Sequence, residues 1–144
     1  MNTLKKILKT KGNKIHSIAP QESTFIALQQ MAEHNIGALL VVDEGKLTGI
    51  FTERDYTRKM NFQEKSTKET QVCDIMTADV LYAEPDCTIS ECMALMTNKR
   101  IRHIPVMEHG QLIGIVSIGD IVKEIISEQE FTIQQLEKYI TGSY

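Results

Sequence analysis

The chain writes one pattern twice. Sliding it on itself by 65 positions superimposes Pro20 on Pro85, Met31 on Met96, Ile36 on Ile101, Val41 on Val106 and Gly45 on Gly110. Leu47, Gly49, Ile50 and Asp55 then fall on Leu112, Gly114, Ile115 and Asp120. These nine identities lie within the 36 positions from 20 to 55, where average composition would supply about two. Softer matches keep the offset: Leu39 with Ile104, Asp43 with Glu108, Phe51 with Val116 and Thr52 with Ser117. A half this small leaves an apolar face uncovered, so the copies are expected to pack on each other about a pseudo-twofold axis.

Both copies share one local grammar. A short strand (KIHSIA; DVLYAE) ends at a proline, which cannot donate to a sheet ladder. A helix follows, opened by Ser23 in the first copy and by the T-x-x-E box of Thr88 and Glu91 in the second, with apolar residues at helical spacing behind each cap. Two apolar runs come next, GALLVV and LTGIF around DEGK, then HIPVM and LIGIV around EHGQ; glycine in a short polar gap signals a hairpin. Thr52 or Ser117 then opens a second helix. Each unit thus reads β-α-β-β-α, and the fold class is α/β (α+β). The expected division is 1–60, an N-terminal helix and the first repeat; 61–71, a polar linker; 72–127, the second repeat; and 128–144, a C-terminal helix that packs back on the pair or on a second chain.

Composition narrows the function. A length of 144 suits one core or two small halves sharing one. With 16 Lys and Arg against 19 Asp and Glu, net charge −3, a broad nucleic-acid surface is not expected. No apolar run is long enough to span a membrane, and the basic start lacks the apolar core and cleavage site of a secretory signal. Three cysteines, Cys73, Cys87 and Cys92, form neither a CxxC pair nor an even set, which fits a reducing cytoplasm. No Cys-His spacing points to a nucleophile. His16, His34, His103 and His109 lack ligand spacing, so no metal site is expected. Glu53 and Asp55, two apart at a helix start, diverge by about 200° and make no acid/base pair. The chain reads as no enzyme.

The runs IGALLVVDEGKLTGIFTERDYTRK, DIMTADV and RIRHIPVMEHGQLIGIVSIGDIVKEII resemble two cystathionine β-synthase (CBS) domains in tandem, the arrangement called a Bateman module. The resemblance covers nearly the whole chain and suggests a stand-alone member. It implies a regulatory role, with an adenosine-containing ligand such as AMP, ADP, ATP, NAD(H) or S-adenosylmethionine held in clefts between the repeats, a homodimer, and a regulated partner that the sequence does not identify. The alternative is a structural dimerisation module with empty or vestigial clefts.

The motifs fit such a site physically. A helix start at Thr52 offers unpaired N–H groups to an anion, the hydroxyl adds a hydrogen bond, and Asp55 has two acceptors for the hydroxyls of a ribose. Ser117 and Asp120 repeat this geometry. The rival reading is helix capping, in which the third residue reaches back to the cap N–H, although that box favours Glu or Gln. Where the second copy has Arg102-His103, the first has Gly37-Ala38. Arg102 and His103 are therefore expected at the phosphate of a nucleotide whose ribose Asp55 holds, with Arg54 or Arg58 nearby. The second cleft would face the uncharged Gly37-Ala38 and take a less anionic ligand or none. Adenine is expected against Ile15, His16 and Ile18 in the first site, or Val80 and Leu81 in the second, although apolar residues there would also serve simply as core.

Overall fold

A computed structural model describes residues 2–12, 14–60 and 64–141. The first repeat contains β1 (Ser17–Ile18), α2 (Thr24–His34), β2 (Ala38–Asp43), β3 (Lys46–Thr52) and α3 (Glu53–Lys59), preceded by α1 (Leu4–Lys11). The second has α4 (Val72–Ile75), α5 (Ile89–Lys99), β4 (His103–Glu108), β5 (Gln111–Ser117) and α6 (Ile118–Thr141).

Local chemistry sets the element ends. Ser23 Oγ accepts the Ile26 amide at 3.2 Å and Thr88 Oγ accepts that of Glu91 at 3.1 Å, capping α2 and α5. Both helices stop at a residue in the left-handed region, Asn35 (φ 52°) and Arg100 (φ 54°). The next amides, Ile36 and Ile101, then reach back to Met31 and Met96 at 3.0 Å. Each hairpin turns on two positive-φ residues, Glu44-Gly45 and His109-Gly110, the type I′ geometry that matches strand twist.

The leading strands fall short of expectation. In the first copy β1 pairs parallel to β2 over two residues, and Leu40 N–H donates to the His16 carbonyl at 3.2 Å. In the second copy Leu40 is replaced by Pro105, which has no N–H, and pairing shrinks to a bridge between Ala83 and Val106. DVLYAE is therefore mostly not strand.

The leading helices are exchanged between the repeats. Leu4 and Lys5 donate to the carbonyls of Cys87 and Pro85, each at 3.0 Å. Val72 and Cys73 make the related bonds to Glu22 and Pro20 at 2.8 and 3.0 Å. Leu4, Ile7 and Leu8 of α1 accordingly complete the second repeat's core with Cys92, Met96, Ile104, Val116 and Ile121. Val72 and Ile75 of α4 complete the first repeat's core with Met31, Leu39, Val41 and Phe51. Gly49 and Gly114 make room for this: a Cβ on Gly114 would stand 2.6 Å from Leu8, and one on Gly49 would strike Met76 and come within 3.0 Å of the Thr77 carbonyl. A third cluster joins the copies, with Ala38, Leu40 and Ile50 packed by Ile15 and Leu47 and, from the other repeat, Val80, Leu112 and Ile115.

The tail departs from expectation. No separate C-terminal helix begins near residue 128; α6 is one helix of 24 residues, and its outer part does not fold back on the repeats.

Candidate ligand-binding clefts

Each repeated motif forms a reciprocal helix cap. Thr52 Oγ accepts the Asp55 amide at 3.1 Å, while Asp55 Oδ2 accepts the Thr52 amide at 3.0 Å and its hydroxyl at 3.1 Å. The other carboxylate oxygen, Oδ1, takes the Thr77 hydroxyl at 3.0 Å and the Lys59 ammonium at 3.2 Å. Asp55 is 7% exposed. Ser117 and Asp120 repeat the box, with the Ser117 amide 2.9 Å from Asp120 Oδ2 and the Asp120 amide 3.1 Å from Ser117 Oγ. Aspartate thus closes the box in both copies, even though Glu and Gln are the usual choices there.

The partners of the two aspartates differ in kind. At Asp55, Thr77 also exchanges two backbone hydrogen bonds of 2.9 Å with Ile50, on the free edge of β3. At Asp120 a single side chain serves both functions: Lys11 Nζ lies 2.6 Å from Asp120 Oδ2 and 2.9 Å from the carbonyl of Ile115, the repeat partner of Ile50. Burial alone would raise the Asp120 carboxyl, but the Lys11 hydrogen bond, the Ser117 amide and the Lys11 charge outweigh it and hold the group below its usual range. Lys11 therefore sets a positive charge beside Asp120, which Gly37-Ala38 alone did not suggest.

His103 also stands differently from expectation. It lies opposite Ser117 in the β4–β5 ladder and against Gly37 of the other repeat, where a Cβ would meet its ring at 3.5 Å. Burial first, then Lys11 and Arg102 against the opposing pull of Asp120, lowers its pKa. Without a ligand the ring is therefore biased toward its uncharged form.

Two cavities are related by the 65-residue offset; the first reaches across the repeats through Arg54, and the second is lined by the first repeat alone. The first, of about 280 Å³, is lined by Met96, Thr97, Ile101 and Ile118 and by three arginines, Arg54, Arg100 and Arg102. The second, of about 330 Å³, has Met31, Ala32, Asn35, Ile36 and Gly37 at the corresponding places, and Glu53 is its one charged lining residue. Arg54 comes from the first repeat and donates to the Arg100 carbonyl of the second. The structure therefore brings Arg54 and Arg102 together, as expected, but not with Thr52 or Asp55, which do not line this cavity.

The remaining candidates divide. Arg58 is exposed. His16 stacks on His34, with centroids 4.1 Å apart, and partial burial followed by His34 and Lys14 lowers its pKa. Ile18 is a core residue, whereas Ile15 and Val80 line the apolar seam between repeats and Leu81 is exposed. Ala38 is buried in that seam. Cys92 is buried, with its thiol pushed up to about 11 by burial and then by Cys87, so it is not a nucleophile. Among the described residues no group of three His, Cys, Asp or Glu is placed to hold a metal, and no helix is long and apolar enough to cross a membrane. Sequence reasoning missed Lys11, Thr77 and Arg100. Arg100 alone had a local signal, as the charged counterpart of the helix-ending Asn35.

A duplicated α/β unit with leading helices exchanged between its copies and a cavity at the repeat junction defines a class of tandem regulatory modules. The chain belongs to the CBS domain family, whose model matches residues 5–61 and 72–127. It is 40% identical, over an alignment of 151 positions, to the CBS domain-containing protein CBSX3, mitochondrial, of Arabidopsis thaliana, covering 99% of this chain and 73% of the relative. A crystal structure of a CBS-domain protein from Burkholderia ambifaria superimposes with TM-score 0.85 at 50% identity, over 89% of this chain and 96% of that one. The CBS domain pair of protein MJ0100, solved with 5′-methylthioadenosine and S-adenosyl-L-methionine, superimposes with TM-score 0.77 at 26% identity, over 89% and 98%. CBS pairs are regulatory modules.

Proposed function

We propose that the chain is a non-catalytic sensor that binds an anionic adenosine ligand, AMP, ADP, ATP or NAD(H), at the repeat junction and relays its state through a homodimer to a partner protein. One observation carries this reading: three arginines line one cavity with no acidic residue among its lining, while the repeat-related cavity carries Glu53 instead. Guanidinium groups suit phosphate because their forked donors meet its oxygens two at a time. At about 280 Å³ the cavity lies just below the roughly 300–1,000 Å³ usual for small-molecule sites. It therefore takes the phosphate end, with the nucleoside running along the junction. Adenosine as the rest of the ligand is supported by the MJ0100 pair, solved with two adenosine compounds. For Asp55 to reach a ribose, Thr77 and Lys59 must release its Oδ1. The unpaired thiols suit a reducing compartment such as the cytoplasm.

Thermal unfolding with AMP, ATP and NADH tests the reading, with S-adenosylmethionine as a phosphate-free contrast. A ligand at 100 times its Kd adds about 2.7 kcal/mol, so a true ligand raises Tm visibly. Arg102→Ala, at an exposed position, is expected to weaken phosphate-bearing ligands about 10- to 100-fold and leave the ligand-free melt unchanged. The competing reading, a dimerisation module with vestigial clefts, draws on the saturation of both aspartates as helix caps. It prevails if no ligand moves Tm.

A further inference from the structure

The inner turns of α6 lie on the body. Ile121 is fully buried, Glu124 accepts from Asn2 at 3.1 Å and pairs with Lys6 at 2.9 Å, and Ile125 packs on the second repeat's core. From Ile126 to Ile140 every residue is exposed, a projection of roughly 22 Å at 1.5 Å per residue. A helix this exposed is marginal in water, where helical stability comes mostly from packing an apolar face. This one also holds large apolar side chains in solvent, from 48% exposure at Ile126 to 82% at Ile140.

Those side chains are in register. Val122, Ile126, Gln129, Ile133, Leu136 and Ile140 succeed one another in steps of four and three, the heptad alternation that forms a seam along one side of a helix. Isoleucine stands at every first position (126, 133, 140), and Val122, Gln129 and Leu136 at every fourth. In a parallel coiled coil, β-branched residues at the first position with leucine at the fourth favour two strands, and here the fourth positions hold one leucine, Leu136. Gln129 selects the same arrangement: in a parallel, in-register pair its amide meets its own copy, whereas an antiparallel pair would bury it against Ile133. Phe131, about 200° from Ile133, stays outside the seam. Covering the seam on both helices removes on the order of 1,000 Å² from water, about the threshold for a stable specific interface.

We propose that the occupant of this face is a second copy of the chain, joined through α6 as a parallel two-stranded coiled coil over Val122–Ile140. The inference shares with the functional reading only the association of two copies and needs no nucleotide. Light scattering on the full chain without ligand is expected to give twice the chain mass. The pair Ile133→Lys with Leu136→Lys is expected to halve that mass, and Phe131→Lys to leave it unchanged. In a Cys73→Ser background, which removes the exposed thiol, Ile140→Cys is expected to cross-link chain to chain on oxidation, since parallel strands place residue 140 beside its copy. A monomeric wild type overturns both the seam and the homodimer. A dimer indifferent to the seam lysines overturns the seam alone. A seam-dependent dimer that does not cross-link through residue 140 overturns the parallel register.

Discussion

Lys11 does with one ammonium what Thr77 does with a peptide group and a hydroxyl. Both satisfy the aspartate of a helix-start box and a carbonyl on the neighbouring strand edge, Ile115 in one copy and Ile50 in the other. The difference is in how firmly they are held. Thr77 is fixed by backbone bonds, whereas Lys11 is a flexible chain that a competing donor can displace. The pair also titrates. Asp120 is held below its usual pKa, so its contribution to stability is present above about pH 4, the unfolded carboxyl's range, and is lost as pH falls through the folded value. Lys11→Met removes the main stabilising partner of that carboxylate. The variant is expected to melt below wild type at pH 7, with the gap closing as pH falls through the titration of Asp120, read from Tm at each pH. A gap that is constant down to pH 3 would show that Lys11 acts through packing alone.

At the scale of elements, one proline decides how much strand the second copy has. Pro105 removes the N–H that Leu40 uses, and DVLYAE keeps one bridge. The glycines at 49 and 114 show a second element-level rule, that exchanged helices need a close approach. Gly49→Ala is expected to cost about 1–3 kcal/mol, because the Thr77 carbonyl in its way is tied to Ile50, whereas Gly114→Ala meets only the flexible end of Leu8 and costs less. Chemical denaturation of both variants checks the order. Caps and hairpin turns were legible in the sequence because each is decided within five residues, as at Ser23, Thr88 and Glu44-Gly45. The paired aspartates were legible as a motif but not in their role, since Lys11 reaches Asp120 from more than a hundred positions away. Nor did α1 carry any local mark of the partner it would pack on.

The exchange makes the molecule a single cooperative body. The second repeat's core is incomplete without Leu4, Ile7 and Leu8, and the first repeat's without Val72 and Ile75. Leu4→Ala is expected to cost about 2–5 kcal/mol. Although residue 4 precedes the first repeat, the loss should appear in one transition reported alike by Tyr56 in the first repeat and Tyr82 in the second. Two separate transitions would mean that the repeats fold independently.

The two leading helices also differ in length, eight residues in α1 against four in α4. Leu4 and Val72 dock equivalently, yet Pro20 follows the first by sixteen positions and Pro85 follows the second by thirteen. The copy with three extra residues continues its helix about one more turn, and that turn carries Lys11 into the opposite cleft. The shorter copy leaves its helix at Met76 and lays Thr77 along a strand edge instead. The difference between the two aspartate sites is thus one of helix length, so a deletion of one turn between Leu8 and Lys14 would take Lys11 away from Asp120 and Ile115 without altering any residue of either repeat's strands.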